Sequence, residues 1–451
     1  MQITEVNSDG LKRTLKVVIG QDELTERFVK RLDEIKDRVQ IKGFRRGKVP
    51  VAHLKKLYGR SLMAEVVDQA VKETSTKAIT DRNERPAMQP SIDLPEDQGE
   101  IESIIGGKSD LAYSMSFEVL PKIDVSDLSG IKLERLVAEV EPQAIDEAVA
   151  ELAKRSTTYD AQEGREASDG DRVTLDFVGK IDGEPFEGGA DENMAVVVGQ
   201  GNFIPGFEDG LKGAKAGEER VVKATFPDTY AEERLAGKEA SFDVTIKEVA
   251  APKVPAIDDD FARTLGMESI EKLREVVGAR IGSDYAQGAR MKLKRELLDA
   301  LETAHAFELP ASLVENEFNG IWAQLTRSLE RESKTFADEG KSEDEAREEY
   351  RKLAARRVRL GLVIGEIGEK AKIEVSQDEL RRALMEEARR YPGQEKFVYE
   401  YYEKTPGALA QLRAPIFEDK VIDHILEQVK PAERKVTKDE LMKAVQDVTE
   451  A

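Results

Sequence analysis

Two stretches of the chain gather residues able to bind or to catalyse. In DFVGKIDGEPFEGG and GNFIPGFEDGLKGAKAGEE, the apolar residues Phe177, Phe186, Phe203, Ile204 and Phe207 stand beside glycines and outside any long apolar run. Aromatic rings next to tight turns can line an open concavity; the same pattern also fits the packed core of a small β-barrel with ordinary glycine turns. The second stretch is GFRRGKVP, residues 43–50, and its basic run continues through VAHLKKLYGR without a carboxylate. Arg45, Arg46 and Lys48 are held between Gly43, Gly47 and Pro50 in a short turn, with Phe44 among them, where exposure carries a hydrophobic cost. Arg can fork onto a phosphate or carboxylate while Phe fills an apolar notch or stacks on a base, which suits a ribonucleoprotein surface. A merely solvated helix tip is the plainer alternative.

Other chemistries are disfavoured by what the chain lacks. With no cysteine there are no disulfides, thiolate metal sites or cysteine nucleophiles. His53, His305 and His424 stand far apart in the sequence and read as single packed or solvated side chains, so no metal centre is expected. No GxxxxGK[ST] loop offers a phosphate cradle, and no cofactor is expected. The 69 Lys and Arg against 90 Asp and Glu give a net charge of -21, a field that repels nucleic acid, so any RNA contact must be local. The opening MQITEVNSDGLKR has no apolar signal core, and no run approaches the roughly 18 apolar residues of a membrane span. A cytoplasmic protein with no membrane partner is expected.

The elements that must position these residues can be read from periodicity. At 451 residues the chain exceeds one hydrophobic core, and two to four domains are expected. Leu15, Val17 and Ile19 alternate as in a strand, then Leu24, Phe28, Leu32, Ile35 and Val39 recur at helical spacing up to Gly43. Pro50 disfavours helix at Val49, a new helix begins near Val51, and GFRRGKVP is therefore a helix-helix tip. Leu111, Tyr113, Met115, Phe117 and Val119 alternate as a further strand, closing a first α+β domain. Between Gly164 and Val249 the stretches DRVTLDFVGKI, NMAVVVGQ, ERVVKATF and ASFDVTIKEV alternate with period two between glycine turns, a small β-rich domain. APKVPAIDDD reads as a linker, and from about Phe261 the pattern is helical: Val314, Phe318, Ile321, Leu325 and Leu329 form one stripe after Pro310. SQDE at 376–379 and TKDE at 437–440 have capping-box spacing, and the segment after residue 430 reads as a loosely packed tail.

The segments IPGFEDGL, FEGG, FPDTY and FDVTIKEV occur in the order of the FKBP-type peptidyl-prolyl isomerase family, which the β-rich region resembles. The resemblance implies that Phe177, Phe186, Ile204, Phe207, Tyr230 and Phe242 line a proline pocket, with Glu187 where many members have Asp. Phe207 stands where many drug-binding members have Trp, which disfavours macrolide binding and leaves an apolar cup intact. Such a cup needs no nucleophile or metal, because X-Pro isomerisation is rotation about a partial double bond with a barrier of about 18–20 kcal/mol. The twisted amide separates less charge than the planar one, so a dry cup that clamps the proline ring favours it.

GFRRGKVP resembles the ribosome-binding signature of the bacterial trigger factor family, and here it precedes an FKBP-like domain and a helical C-terminal region. The resemblance covers essentially the whole chain. It implies a multidomain α+β architecture: a ribosome-binding domain over 1–118, a linking segment over 119–158, an FKBP-like isomerase domain over 159–250 and a helical chaperone domain with arms over 251–451. It further implies that Gly43, Phe44, Arg45, Arg46, Gly47, Lys48 and Pro50 dock beside the exit tunnel of the large ribosomal subunit, on protein and rRNA. The expected function is ATP-independent care of nascent and unfolded polypeptides with prolyl isomerisation, serving folding, protein export and, by the family's naming, cell division, with a homodimer off the ribosome. The competing reading is a free cytosolic prolyl isomerase whose helical domain dimerises it.

Overall fold

The computed structural model describes residues 1–36, 44, 49–125, 127–230, 232 and 234–450. Val39 and the tip residues Gly43, Arg45, Arg46, Gly47 and Lys48 lie outside the described residues. The chain forms two compact units: residues 1–135 with 292–432, and residues 136–291 with 433–451.

The first unit opens with strands β1 (Gln2–Asp9) and β2 (Lys12–Ile19), helices α1 (Gln21–Lys36) and α2 (Val51–Asp81), strand β3 (Ser91–Asp93), helix α3 (Gln98–Ile105) and strand β4 (Leu111–Glu118). The strands form an antiparallel sheet in the order β1-β2-β4-β3. Alternation puts Leu15, Val17 and Ile19 of β2 and Leu111, Tyr113 and Met115 of β4 on one buried face, where Ala70, Val71 and Ala78 of α2 cover them. The Tyr113 hydroxyl reaches the Thr74 and Ser75 hydroxyls of α2, both at 2.8 Å, so the buried phenol is satisfied. Strand β1 has no counterpart in the sequence reading. It is an edge strand, exposed along nearly its whole length, and so carries no hydrophobic alternation.

The second unit begins within β5 (Glu134–Ala138) and continues through α4 (Pro142–Arg155), β6 (Thr158–Ala161), β7 (Arg172–Ile181), β8 (Glu184–Val197), α5 (Phe207–Leu211), β9 (Glu219–Thr225), β10 (Glu239–Lys253) and α6 (Asp259–Thr264) into α7 (Ile270–Ala304). Its antiparallel sheet runs β6-β10-β7-β8, with β9 also paired to β10. Along β10 the inward residues are Ala240, Phe242, Val244 and Ile246; a register shift between Ile246 and Glu248 then moves the buried set to Val249. Pro252 sits in β10 opposite Tyr159, so the strand takes in the first residues of the expected linker. Val149 and Ala153 of α4 pack with Phe261, Ala262 and Leu273.

Helices α8 (Ala311–Glu332), α9 (Glu343–Lys370), α10 (Gln377–Arg389), α11 (Glu395–Lys404) and α12 (Ala408–Val429) complete the first unit. Arg347 sits over the Trp322 ring at 4.4 Å and Arg351 over Phe318 at 4.7 Å, pairs whose reversed order makes α8 and α9 an antiparallel hairpin. Of the α8 stripe only Phe318 and Leu329 are buried; Val314, Ile321 and Leu325 are partly covered. Leu128 and Leu133 join Leu293, Leu297 and Leu301 of α7, Val363 and Ile367 of α9, and Val421 and Ile425 of α12 in one core. The carboxylate of Glu118, ending β4, accepts from the Ser312 N–H at 2.7 Å and its hydroxyl at 2.6 Å, capping α8 from another element. The Ser376–Glu379 capping box is formed.

The tail corrects the expectation of loose packing. Strand β11 (Ala432–Val436) pairs with β5 and leads into α13 (Lys438–Glu450), where Leu441, 1% exposed, is buried with Leu136, Tyr285 and Ala289. The short, charged sequence hides this, because Leu441 is the one fully buried residue that the tail contributes among the described residues, and Val436, Ala444 and Val445 are only partly covered. Thr437 and Glu440 form their capping box, with backbone N–H bonds of 3.1 and 3.2 Å. Among the described residues no helix is long and apolar enough to cross a membrane.

Candidate functional site

Phe177, Phe186, Glu187, Ile204, Phe207, Tyr230 and Phe242 line one cavity of about 230 Å³ in the second unit. Phe177 on β7 and Phe242 on β10 come together because these strands pair, with Val244 opposite Phe177 and Phe242 opposite Gly179. Phe207 opens α5, and its ring meets Phe242 edge-on at 5.1 Å and Phe177 at 5.8 Å. Phe207 and Phe242 are buried and form the floor, whereas Tyr230, 39% exposed, stands at the mouth. Such edge-to-face rings are mutually stabilising and fix one another's orientation.

The wall at Phe186 depends on two missing side chains. A Cβ on Gly179 would lie 2.7 Å from ring atoms of both Phe186 and Phe242, and one on Gly189 would lie 2.7 Å from Phe186. The Phe186 ring therefore lies against bare backbone on β7 and β8, a close approach only glycine permits.

Phe203, Phe226, Glu232 and Leu235 also line the cavity. Of these, Phe203 stands beside glycine in the sequence but outside the expected pocket residues, and Phe226 lies within FPDTY with no expected role. The signal for Phe226 was present: Val222, Ala224 and Phe226 alternate inward along and just beyond β9, so the third belongs on the cup side. Phe226 meets Tyr230 at 4.8 Å and Phe186 at 5.9 Å. The Glu232 carboxylate is engaged by Arg234, whereas Glu187 is exposed at the rim.

Glu208 is the other residue that the sequence reading missed. It is 7% exposed and its carboxylate accepts four backbone N–H bonds: Gly199 at 2.9 Å, Gly201 at 2.9 Å, Asn202 at 2.8 Å and Phe203 at 3.1 Å. Burial pushes its pKa up, but these donors outweigh burial and hold the carboxyl below the usual glutamate range. The loop that delivers Phe203 and Ile204 to the cup is thus tied to α5 through one ionised side chain. A second carboxylate, Asp171, 1% exposed, takes both Arg165 Nε and Nη2 at 2.9 Å and the Ser168 N–H at 3.0 Å, fastening the start of β7.

Of the basic tip, Phe44 and Pro50 fall among the described residues. Phe44 is 37% exposed, with its ring 5.2 Å from that of His53. Pro50 is the N-cap of α2, at φ -60 and ψ 134, which is extended backbone that starts the helix at Val51.

Residues 1–152 match the family model described as bacterial trigger factor protein (TF), residues 163–247 that of the FKBP-type peptidyl-prolyl cis-trans isomerase, and residues 269–427 that of the bacterial trigger factor C-terminus. The trigger factor of Chelativorans sp. (strain BNC1) is 51% identical over 443 residues, covering 98% of this chain and 93% of its own. The chain belongs to the trigger factor family. Trigger factors of Brucella anthropi and Sinorhizobium fredii are 50% and 49% identical, each over 98% of this chain and over 92% and 90% of their own. A solved trigger factor chaperone structure, described for promiscuous substrate recognition in folding and assembly, shares the fold at a TM-score of 0.57 and 21% identity, over 95% of this chain and all of that one. The cup therefore lies in an FKBP-type peptidyl-prolyl isomerase domain, set in a multidomain trigger factor whose C-terminal region is helical.

Proposed function

We propose that this trigger factor is an ATP-independent chaperone that docks on the large ribosomal subunit beside the exit tunnel, on protein and rRNA, and receives nascent and unfolded polypeptides. Gly43, Phe44, Arg45, Arg46, Gly47, Lys48 and Pro50 form the anchor in this reading, within a ribosome-binding domain over 1–118. Residues 119–158 link it to an isomerase domain over 159–250, and 251–451 supply the helical chaperone surface. Export of client proteins and a cytoplasmic setting belong to the same reading.

The isomerase part of this reading rests on the convergence of the aromatic residues on one cavity, and the docking part on the glycine-framed basic tip with the half-exposed Phe44. A proline ring clamped between Phe177, Phe207 and Phe242 leaves water behind, and the flanking amide faces apolar walls that favour its less polar, twisted state. The Tyr230 hydroxyl makes no hydrogen bond among the described residues and stands at the mouth, placed to donate to a substrate carbonyl. Uncatalysed isomerisation takes tens to hundreds of seconds, a delay that matters to a folding chain.

Exposed Tyr391, Phe397, Tyr399 and Tyr401 on and beside α11 supply apolar contact for unfolded chains, with Phe397 71% exposed. The test is the triple substitution Phe44→Ala, Arg45→Ala and Lys48→Ala. It should abolish co-sedimentation with ribosomes and leave isomerisation of a proline peptide intact. Retained co-sedimentation would remove the anchor. A wild-type chain that dimerises and isomerises but never sediments with ribosomes would instead be the free isomerase.

A further inference from the structure

The tip is not the end of the basic run. From Arg38 to Ala64, 27 residues hold eight Lys or Arg and no Asp or Glu, in a chain with 90 acids among 451 residues. Part of this run is the start of α2, outside the anchor residues assigned above. His53, Lys56, Leu57 and Arg60 are spaced i, i+3, i+4 and i+7, so they share one face of that helix. The face opposite carries Leu62 and Val66, both buried. Lys56, Leu57 and Arg60 are exposed, Leu57 at 55%.

The charges on this stripe are only weakly compensated, unlike those farther along the helix. Glu65, Asp68 and Glu73 each meet a cation at 3.2 Å or less, from Arg31, Lys72 and Arg27. Lys56 has no ion-pair partner among the described residues, and Arg60 only approaches Glu102 at 3.8 Å, both side chains at least 70% exposed. The first turn of α2 holds no acid, so the cations are also placed against the helix dipole. The Phe44 ring rests beside His53, which joins the stripe directly to the tip.

We propose that the ribosome footprint extends past the tip onto this face of α2, with Lys56 and Arg60 contacting rRNA phosphates and Leu57 packing between them. The inference rests on the ribosome-docking reading and adds a second, phosphate-directed contact to it. RNA is the occupant because the stripe offers one cation unpaired among the described residues, a second held only loosely by the exposed Glu102 at 3.8 Å, and one apolar side chain, an excess of positive charge that suits phosphate. Two fewer phosphate contacts flatten the salt dependence of binding by a predictable amount.

The experiment measures binding of the full-length chain to ribosomes across a salt series, for wild type, Lys56→Ala/Arg60→Ala, Leu57→Ala and the control Lys77→Ala, an exposed lysine later on α2. The double variant is expected to bind roughly tenfold more weakly at low salt, with the slope of log K against log salt reduced by about 1.4–1.8. Leu57→Ala should weaken binding without changing the slope, and Lys77→Ala should match wild type. A double variant with wild-type affinity and slope overturns the inference and leaves the tip anchor standing. Weaker binding at an unchanged slope overturns the phosphate assignment in favour of a protein contact. Failure of the wild type itself to bind ribosomes overturns both readings.

Discussion

Replacing Glu208 with glutamine keeps the shape of the side chain and removes its charge. The two carboxylate oxygens share four backbone donors, Gly199 and Gly201 on one, Asn202 and Phe203 on the other. An amide retains one accepting oxygen and turns an NH2 toward the other two donors. Two buried N–H groups are then left unpaired, at about 1–3 kcal/mol each, so opening of this loop should become easier by about 2–6 kcal/mol. Hydrogen exchange followed by mass spectrometry on the full-length protein reads this directly. At the lower bound, amides of the segment 199–203 should exchange about 30-fold faster, with β7 and β10 unaffected. Because Phe203 and Ile204 ride on the loop, KM for a proline peptide should rise more than kcat falls. The pH dependence has a definite sign. The folded pKa lies below the ordinary 4.5, so the stabilisation is complete above that value and is lost as pH falls through the folded pKa. The Gln variant should lack this acid limb. Unchanged exchange together with unchanged kcat/KM would refute the role given to Glu208.

Phe207→Ala removes a ring that is 2% exposed and touches Phe177, Phe203 and Phe242; it should destabilise the domain by about 3–5 kcal/mol and cut isomerisation, while Phe207→Leu keeps the fold and still loses rate. Suppression of client aggregation should survive both changes, and a parallel loss would make the cup the main client site. Gly179→Ala should displace the Phe186 and Phe242 rings and lower kcat/KM more than tenfold in a peptide isomerisation assay. Glu379 is held at about 2, first by Lys420 and then by Ser376, so its contribution is present above 4.5 and fades toward pH 2; Lys420→Ala should raise its titration midpoint, measured by carboxyl carbon NMR.

Elements with one buried face were legible, since alternation in β2 and β4 and helical spacing in α1 each follow from burying Leu15, Met115 or Phe28. Elements held by the backbone or by a single side chain were not. Strand β1 buries almost nothing, and the tail fully buries only Leu441 among the described residues, with Val436, Ala444 and Val445 partly covered beside it. The cup occupied a middle position. Spacing left open whether the glycine-flanked aromatics were core or concavity, and Phe207 and Phe242 turn out to serve both, buried in the domain core while flooring the cavity. Family resemblance, and not pattern, named them. Glu208 escaped because its partners are main-chain N–H groups, which every residue has and no sequence motif distinguishes.

The interrupted build of the first unit has a bearing on its own synthesis. Leu128 and Leu133 pack against Leu293, Val363 and Ile425, and Leu293 follows Leu133 by 160 residues. At about 5–20 residues per second, roughly 8–32 s of translation separate those two leucines, and the whole FKBP-like segment emerges in between. Contacts along β7 to β10 are closer in sequence and can close first. A protein read as a guardian of unfinished chains is therefore itself unfinished for most of its synthesis, with Leu128 and Leu133 waiting for helices that emerge long after them.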